Sequence, residues 1–367
     1  MKTILIFEPL SGGHRANFIR WLADASPNYA DCRFVFFTAD EIPDSVACQL
    51  VSAGRWKKQR LLYQLFRKAC REHSPDQALI FELTPLELPL AMFGSSCPVS
   101  AILFVQYPEL QHGLKFFIKE WKTALLLRRA PLRNLFLLNG EQSCRYLESR
   151  FGTRTQFIPL ADPAPDIAVD AGFLMRNAYK IESNRKVFLF FGAISRRKGA
   201  DVLLKALHLL VPEMAAQSAF VFCGEPECNY REVFEQSCIR LRTARPDIQL
   251  NIENSFVSDQ RMMALFEQSD VILMPYTRPE YSSGILALAA KARTPVIGPA
   301  GGLLGRLVRD NGLGLVSTIS PEKLMEKITE AARSLPVVDE KCCAAFVQRS
   351  RPEQFARTIL KAICNEG

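Results

Sequence analysis

The chain has 367 residues, 48% of them hydrophobic and 23% charged, and a formal net charge of +8. That length suits two or three ordinary domains, and the composition excludes a disordered or low-complexity chain. The mild basic excess favours anionic partners such as nucleotide diphosphates, lipid phosphates or an acidic membrane surface, and it equally suits a solvated basic face.

Met1-Lys2-Thr3 leads straight into Ile4–Phe7, an apolar run too short for a signal-peptide core and read as a buried strand. Gly12-Gly13 breaks it, and His14–Ala25 follows at helical period. Arg33–Thr38 reads as a strand, Leu61–His73 as a helix, and Ala78–Phe81, Val99–Val105 and Leu135–Leu138 as strands. Glu141–Phe151 reads as a helix and Thr155–Ile158 as a short strand. Short apolar runs separated by amphipathic ones argue for a parallel sheet covered on both faces.

Ala161-Asp162-Pro163-Ala164-Pro165-Asp166 interrupts the pattern and reads as a linker. The alternation then resumes: strand Val187–Phe191, helix Ala200–Leu210, strand Ala219–Cys223, helix Arg231–Arg242, strand Gln249–Ile252 and helix Ser258–Glu267. Strand Val271–Met274, helix Ser283–Ala292, strands Pro295–Ile297 and Gly314–Val316, and helices Pro321–Ser334 and Pro352–Cys364 complete it. The expected fold is α/β, with two doubly wound Rossmann-like domains facing across a cleft, at 1–165 and 166–345, and a tail at 346–367. Ligands in such sheets sit beyond the carboxyl ends of the strands.

No run approaches the roughly 20 apolar residues needed to span a bilayer, so a cytoplasmic protein is expected, touching a membrane only at its surface. The eleven cysteines read as reduced core residues, with no clustered ligands for a metal. Without zinc-finger spacing, an RNP-like motif or a basic tail, no nucleic-acid partner is expected.

Three loops carry candidate chemistry. Gly192-Ala193-Ile194-Ser195-Arg196-Arg197-Lys198-Gly199 follows a strong strand and opens a helix. Backbone N–H groups and the positive end of the helix dipole favour an anion there, and Lys198 adds a point charge; a solvated basic turn is the plainer alternative. Glu280-Tyr281-Ser282-Ser283-Gly284 opens another helix, where the serines either cap it or also donate to a diphosphate, and Glu280 is suited to accept from a sugar hydroxyl. Gly12-Gly13-His14 sets an imidazole at the tip of a permissive turn, and Gly224-Glu225 ends another strand.

Taken in order with Phe256-Val257-Ser258, Asp270, Thr294-Pro295-Val296-Ile297 and Ala300-Gly301-Gly302, these elements resemble the GT-B glycosyltransferases, particularly family 4, most strongly over residues 187–316. The resemblance implies transfer of a hexosyl-type sugar from a nucleotide-diphosphate donor, with retention and no separate cofactor; no metal is expected, since no Asp-x-Asp stands at a strand end, and a glycan or lipid-linked acceptor is expected from the basic amphipathic segment at 113–133. The resemblance also suggests a place in polysaccharide biosynthesis. Lys198, with Arg196 and Arg197 nearby, would meet the diphosphate. Glu280 begins the family's Glu-x7-Glu motif, Ser282, Ser283 and Gly284 would hold phosphate through their amides, and Gly192, Gly224 and Glu225 would line the same donor site. Gly12 and Gly13 would lie against the donor from the other domain, with His14 as a catalytic candidate, and the final helix would cross back to the N-terminal domain.

The chain departs from that pattern at three points. The second Glu of Glu-x7-Glu falls on Leu288, the Arg that often follows the first glycine of the basic loop is Ala193, and Gln106-Tyr107-Pro108 lacks a histidine, His112 being the nearest. Rival expectations are a GT-B epimerase or phosphorylase, and a catalytically silent relative acting as a binding or scaffold subunit.

Residues 113–133 hold Lys115, Lys119, Lys122, Arg128, Arg129 and Arg133 against Glu120 alone, interleaved with Phe116, Phe117, Ile118 and Trp121. A basic amphipathic segment of this kind suits an anionic membrane, here the inner membrane surface, and it also suits a surface helix with its apolar face on the core.

Overall fold

A computed structural model describes residues 1–10, 15–104, 114–152 and 154–364. Gly12, Gly13, His14 and His112 lie outside the described residues. The chain divides into two units. Unit 1 comprises Met1–Asp162 with Pro352–Gly367, and unit 2 comprises Pro163–Arg351. The divisions therefore fall at 162/163 and 351/352, not at 165/166 and 345/346. The second one moves because helix Glu340–Arg349 buries Cys343 and Phe346 in the core of unit 2.

Unit 1 is built on β1 (Lys2–Glu8), β2 (Cys32–Thr38), β3 (Gln77–Ile80), β4 (Val99–Leu103), β5 (Leu132–Leu138) and β6 (Gln156–Leu160), all parallel, in the order β2-β1-β3-β4-β5-β6. Alternate residues of β1 feed opposite faces, as the period of two requires. Leu5 and Phe7 enter one core with Phe66 and Leu90, and Ile4 and Ile6 enter the other with Phe18 and Leu22. Helix Pro352–Cys364 closes that second face. Its Phe355, Ile359 and Ile363 recur at helical spacing, and the Phe355 ring stacks on Phe18 at 5.1 Å. Lys2 Nζ donates to the Ile363 carbonyl at 2.8 Å and so satisfies an oxygen of its last turn.

Unit 2 repeats the scheme with β7 (Lys186–Phe191), β8 (Ser218–Cys223), β9 (Gln249–Glu253), β10 (Val271–Leu273), β11 (Val296–Pro299) and β12 (Gly314–Ser317), ordered β12-β11-β10-β7-β8-β9. Every pairing is parallel. The β7 and β8 registers set Phe188 opposite Phe220 and Phe190 opposite Phe222, with ring centroids 5.2 and 5.1 Å apart. Such stacked cross-strand pairs pin a register that uniformly apolar strands would otherwise leave loose.

Residues 113–133 do not form one segment. The described helix is Leu114–Arg129, and Arg133 lies on β5, which begins at Leu132 because Leu132 and Asn134 are buried in the sheet. The cysteines are not all core residues either. All eleven are free, but Cys48, Cys228 and Cys342 are exposed. No helix among the described residues is long and apolar enough to cross a membrane.

Candidate functional site

In unit 2 the chain runs β7, β8, β9 to one side and then returns across β7 to β10, so strand direction of travel reverses between β7 and β10. That reversal opens a crevice at the carboxyl ends of these two strands, which is where doubly wound sheets take ligands. The loop leaving β7 is the basic Gly192–Gly199 loop, and the loop leaving β10 carries Pro275, Tyr276 and Glu280–Gly284.

The two loops are stitched together. Thr277 N donates to the Arg197 carbonyl at 3.0 Å, and Thr277 Oγ1 donates to the Arg196 and Arg197 carbonyls at 3.2 and 3.1 Å. Gly199 sits against the Pro275 carbonyl with φ +79°, and a Cβ there would lie under 3.0 Å from that oxygen. Only glycine tolerates both the left-handed backbone and the approach. Gly192 (φ +98°) shares the left-handed backbone, but a Cβ there would meet only the movable end of the Lys198 side chain.

Lys198 is half-buried, its Nζ 3.4 Å from the Phe191 carbonyl and 5.6 Å from the centroid of the Tyr276 ring. Among the described residues no carboxylate forms an ion pair with it. Arg196 and Arg197 are exposed and make no such pair either, and the Arg196 guanidinium lies 5.6 Å from the Tyr230 ring. Three cations without described counter-ions stand at the start of helix Ala200–His208, an arrangement whose charge and dipole favour an anion.

Ser283 occupies the N-cap position of helix Gly284–Ala292, but its side chain does not cap the helix. Its Oγ lies instead 3.4 Å from the Tyr276 hydroxyl, so the capping expected of it is not made. The first-turn N–H groups lack that partner, and the space over Gly284, where a Cβ would stand, is open to beyond 4 Å. Glu280 is half-buried and has no hydrogen bond or ion pair with a described residue, while the preceding Pro279 carbonyl accepts from Leu304 N at 3.0 Å and holds the turn.

Gly224 and Glu225 continue β8 beside the basic loop, Ile194 N donating to the Glu225 carbonyl at 2.9 Å. The Glu225 side chain turns to Arg231 at 3.2 Å. Lys198, Gly192, Arg196, Arg197, Glu280, Ser282, Ser283, Gly284, Gly224 and Glu225 thus all belong to loops leaving the carboxyl edge of β7, β8 and β10. Leu288, at the second position of Glu-x7-Glu, is 7% exposed and packs in the core. Tyr276 and Thr277 escape sequence reasoning. Their one sequence signal is their place directly after an apolar strand. Among the described residues no three potential ligands cluster as a metal site.

Residues 173–340 match the family described as Glycosyl transferases group 1. A stretch of 131 residues is 26% identical to an uncharacterized glycosyltransferase of Methanocaldococcus jannaschii, covering 35% of this chain and 31% of that protein. The match therefore spans less than a third of that relative's length. Two solved structures align over nearly the whole chain. HepE of Anabaena, in complex with UDP and glucose, has 15% identity and a TM-score of 0.67, covering 99% of each chain. Sucrose-phosphate synthase of Thermosynechococcus elongatus has 15% identity and a TM-score of 0.72, covering 99% of this chain and 98% of its own. At that identity the likeness speaks for the fold. Residues 173–340 thus match the group 1 glycosyltransferase family over a little under half of the chain, and the fold is that of the GT-B structures.

Proposed function

We propose that the protein transfers a sugar from a nucleoside diphosphate donor to a glycan or lipid-linked acceptor, with retention of configuration. The observation that carries this is the cation set of Lys198, Arg196 and Arg197 at the β7/β10 switch, which has no counter-ion among the described residues, beside the start of helix Gly284–Ala292, whose N-cap side chain makes no capping bond. Such preorganised positive charge stabilises a departing diphosphate, whose charge grows as the glycosidic bond breaks. HepE binds UDP on a similar fold, which supports a nucleoside diphosphate here. Retention is what the family resemblance implies. Glu280, half-buried and without a partner among the described residues, is suited to accept from a hydroxyl of the donor sugar. With Leu288 in the core, the ribose hydroxyls must find partners other than a second carboxylate. Catalytic silence has no observation in its favour.

The proposal includes a cytoplasmic protein that touches the inner membrane surface. Helix Leu114–Arg129 supports it by exposing Phe117 at 62%, Ile118 at 45% and Trp121 at 59%, with Arg128 and Arg129 also exposed. Isolated surface apolars need no explanation, but three within two turns beside arginines suit an anionic interface.

A thermal-shift screen against UDP, GDP, ADP and CMP tests the donor site. A ligand of the folded state raises the melting temperature by mass action. A shift with one nucleoside diphosphate that is lost in Lys198→Ala is the expected result. No shift with any of them would overturn the proposal.

A further inference from the structure

Unit 1 carries a cavity beside helix Arg15–Ala25, toward the amino edge of its sheet. That helix leaves β1 and returns to the edge where the strands begin, and the turn Ser26–Asn28 and Tyr29 lead from it into β2. The first half of helix Pro352–Cys364 lies against it, Phe355 meeting both Phe18 and Trp21. Between these elements is a cavity of about 570 Å³ whose lining includes Trp21, Asp24, Tyr29, Glu353 and Arg357. Its volume is that of an ordinary small-ligand site, and its lining residues all belong to unit 1. Doubly wound sheets take their ligands at the other, carboxyl edge, so the usual site of such folds does not account for it.

Two features define what fits. One is a fixed aromatic wall. Trp21 is half-buried, its ring 5.5 Å from Phe18 and 6.4 Å from Phe355, both of them core residues. The core holds the indole in place, and the rest of its surface stands in the cavity wall. The face of an aromatic ring is negative and attracts the polarised C–H bonds of a pyranose. The other feature is a set of uncommitted polar groups. Glu353 and Arg357 are four apart on one helix, the spacing of an intrahelical ion pair, yet they form none. Asp24 and the Tyr29 hydroxyl likewise have no hydrogen bond or ion pair with a described residue.

We infer that this cavity is a second saccharide-binding site, which takes a neutral sugar with one face on Trp21 and its hydroxyls on Asp24, Glu353 and Arg357. Two carboxylates, a guanidinium and a phenol set acceptors beside donors, as vicinal hydroxyls require. An apolar ligand would desolvate three charges without replacing their hydrogen bonds. An anion would face Asp24 and Glu353. The inference goes beyond the glycosyl-transfer reading and does not depend on it. In a transferase, a site of this kind holds part of a glycan chain away from its reacting end and so raises the local concentration of that end.

Trp56 and Trp121, the other two tryptophans, are 72% and 59% exposed, so replacing both by Phe leaves Trp21 as the one reporter. Emission of this full-length variant is titrated with maltose, cellobiose, lactose and N,N′-diacetylchitobiose, and with glucuronate. At least one of the four neutral disaccharides is expected to shift the Trp21 emission with a Kd below about 10 mM, and more tightly than glucuronate. Glu353→Ala and Arg357→Ala, at exposed positions and with the unliganded melting temperature as the check on folding, should each weaken that binding by about tenfold. No shift with any of the four, a tighter fit for glucuronate than for all of them, or an unchanged Kd in both folded variants would overturn the inference.

Discussion

Lys198 holds its ammonium 5.6 Å from the centroid of the Tyr276 ring, and the Tyr276 hydroxyl lies 3.4 Å from Ser283 Oγ. One aromatic side chain therefore ties the basic loop after β7 to the helix start after β10. A cation at this distance from a ring face is held by the ring quadrupole as well as by its carbonyl contact. Lys198→Ala should lower turnover by about 100- to 1,000-fold, the scale of losing one preorganised donor to a developing anion. Tyr276→Leu keeps the charge and removes its platform, so a smaller loss, about tenfold, is expected with a raised KM for donor. Steady-state kinetics on both variants separates them, and equal losses would mean that the ring does more than position the lysine.

Gly199→Ala tests the seam between the same two loops. The added methyl meets the Pro275 carbonyl, and the backbone at φ +79° disfavours it independently. The expected loss is about 2–3 kcal/mol, read as a lowered melting temperature of the variant against wild type. An unchanged melting temperature would show that the Thr277 hydrogen bonds alone hold the loops together.

The twelve strands lie close to the apolar runs of the sequence, because buried parallel strands are apolar on both faces. Helices Asp44–Ser52, Glu87–Phe93 and Gly302–Asp310 are not legible in the same way. They are short, and Pro43, Pro89 and Gly305 break their local pattern. In the site, Gly192, Lys198 and Gly199 are legible because their residue types are rare together. Tyr276 and Thr277 are not, since their role depends on β10 lying beside β7, and spacing along the chain does not encode strand order. Glu8, Arg15 and Glu82 illustrate the same limit, for the contact joins residues far apart in sequence through the pairing of β1 with β3.

Leu288 distinguishes a lost function from a changed one. Its side chain is packed among the apolar residues of unit 2, with Leu286 and Ala290 on the same helix. Leu288→Glu should therefore not restore a ribose contact. It buries an unpaired carboxylate at a cost of about 3–5 kcal/mol, seen as a lower melting temperature and no gain in nucleotide-induced shift. A stable Leu288→Glu protein with tighter UDP binding would show that this position reaches the ligand after all.

Glu8 gives a pH dependence of unusual sign. Burial raises its carboxyl above the ordinary value near 4.5, outweighing the lowering by Arg15 and the Leu10 N–H, and Glu82 adds to the rise. Between the ordinary value and the raised one the folded state binds more protons than the unfolded state. Stability contributed by this group is therefore full below about 4.5 and declines as pH rises through the folded value. Glu8→Gln should flatten that decline. Melting temperatures across pH 4–8 for both proteins check it, and parallel curves would show that the Arg15 pair, not burial, governs the group.

The exposed face of helix Leu114–Arg129 makes the last prediction. Lys119 is turned to Glu87 and Glu120 to Tyr146 and Arg150, so these charges are spent within the unit. Phe117, Ile118 and Trp121 remain outward with Arg128 and Arg129. Phe117→Ser with Trp121→Ser removes apolar area that contributes little to the fold, so the melting temperature should hold. Co-sedimentation with vesicles rich in anionic lipid should fall by at least about tenfold, because each aromatic buried at the interface contributes on the order of 1–2 kcal/mol. Raising salt should weaken wild-type binding further, since the arginines act through a screened field. Salt-sensitive binding that survives the double substitution would assign the contact to charge alone, and the apolar face would then be free to meet the acceptor's lipid or another protein surface.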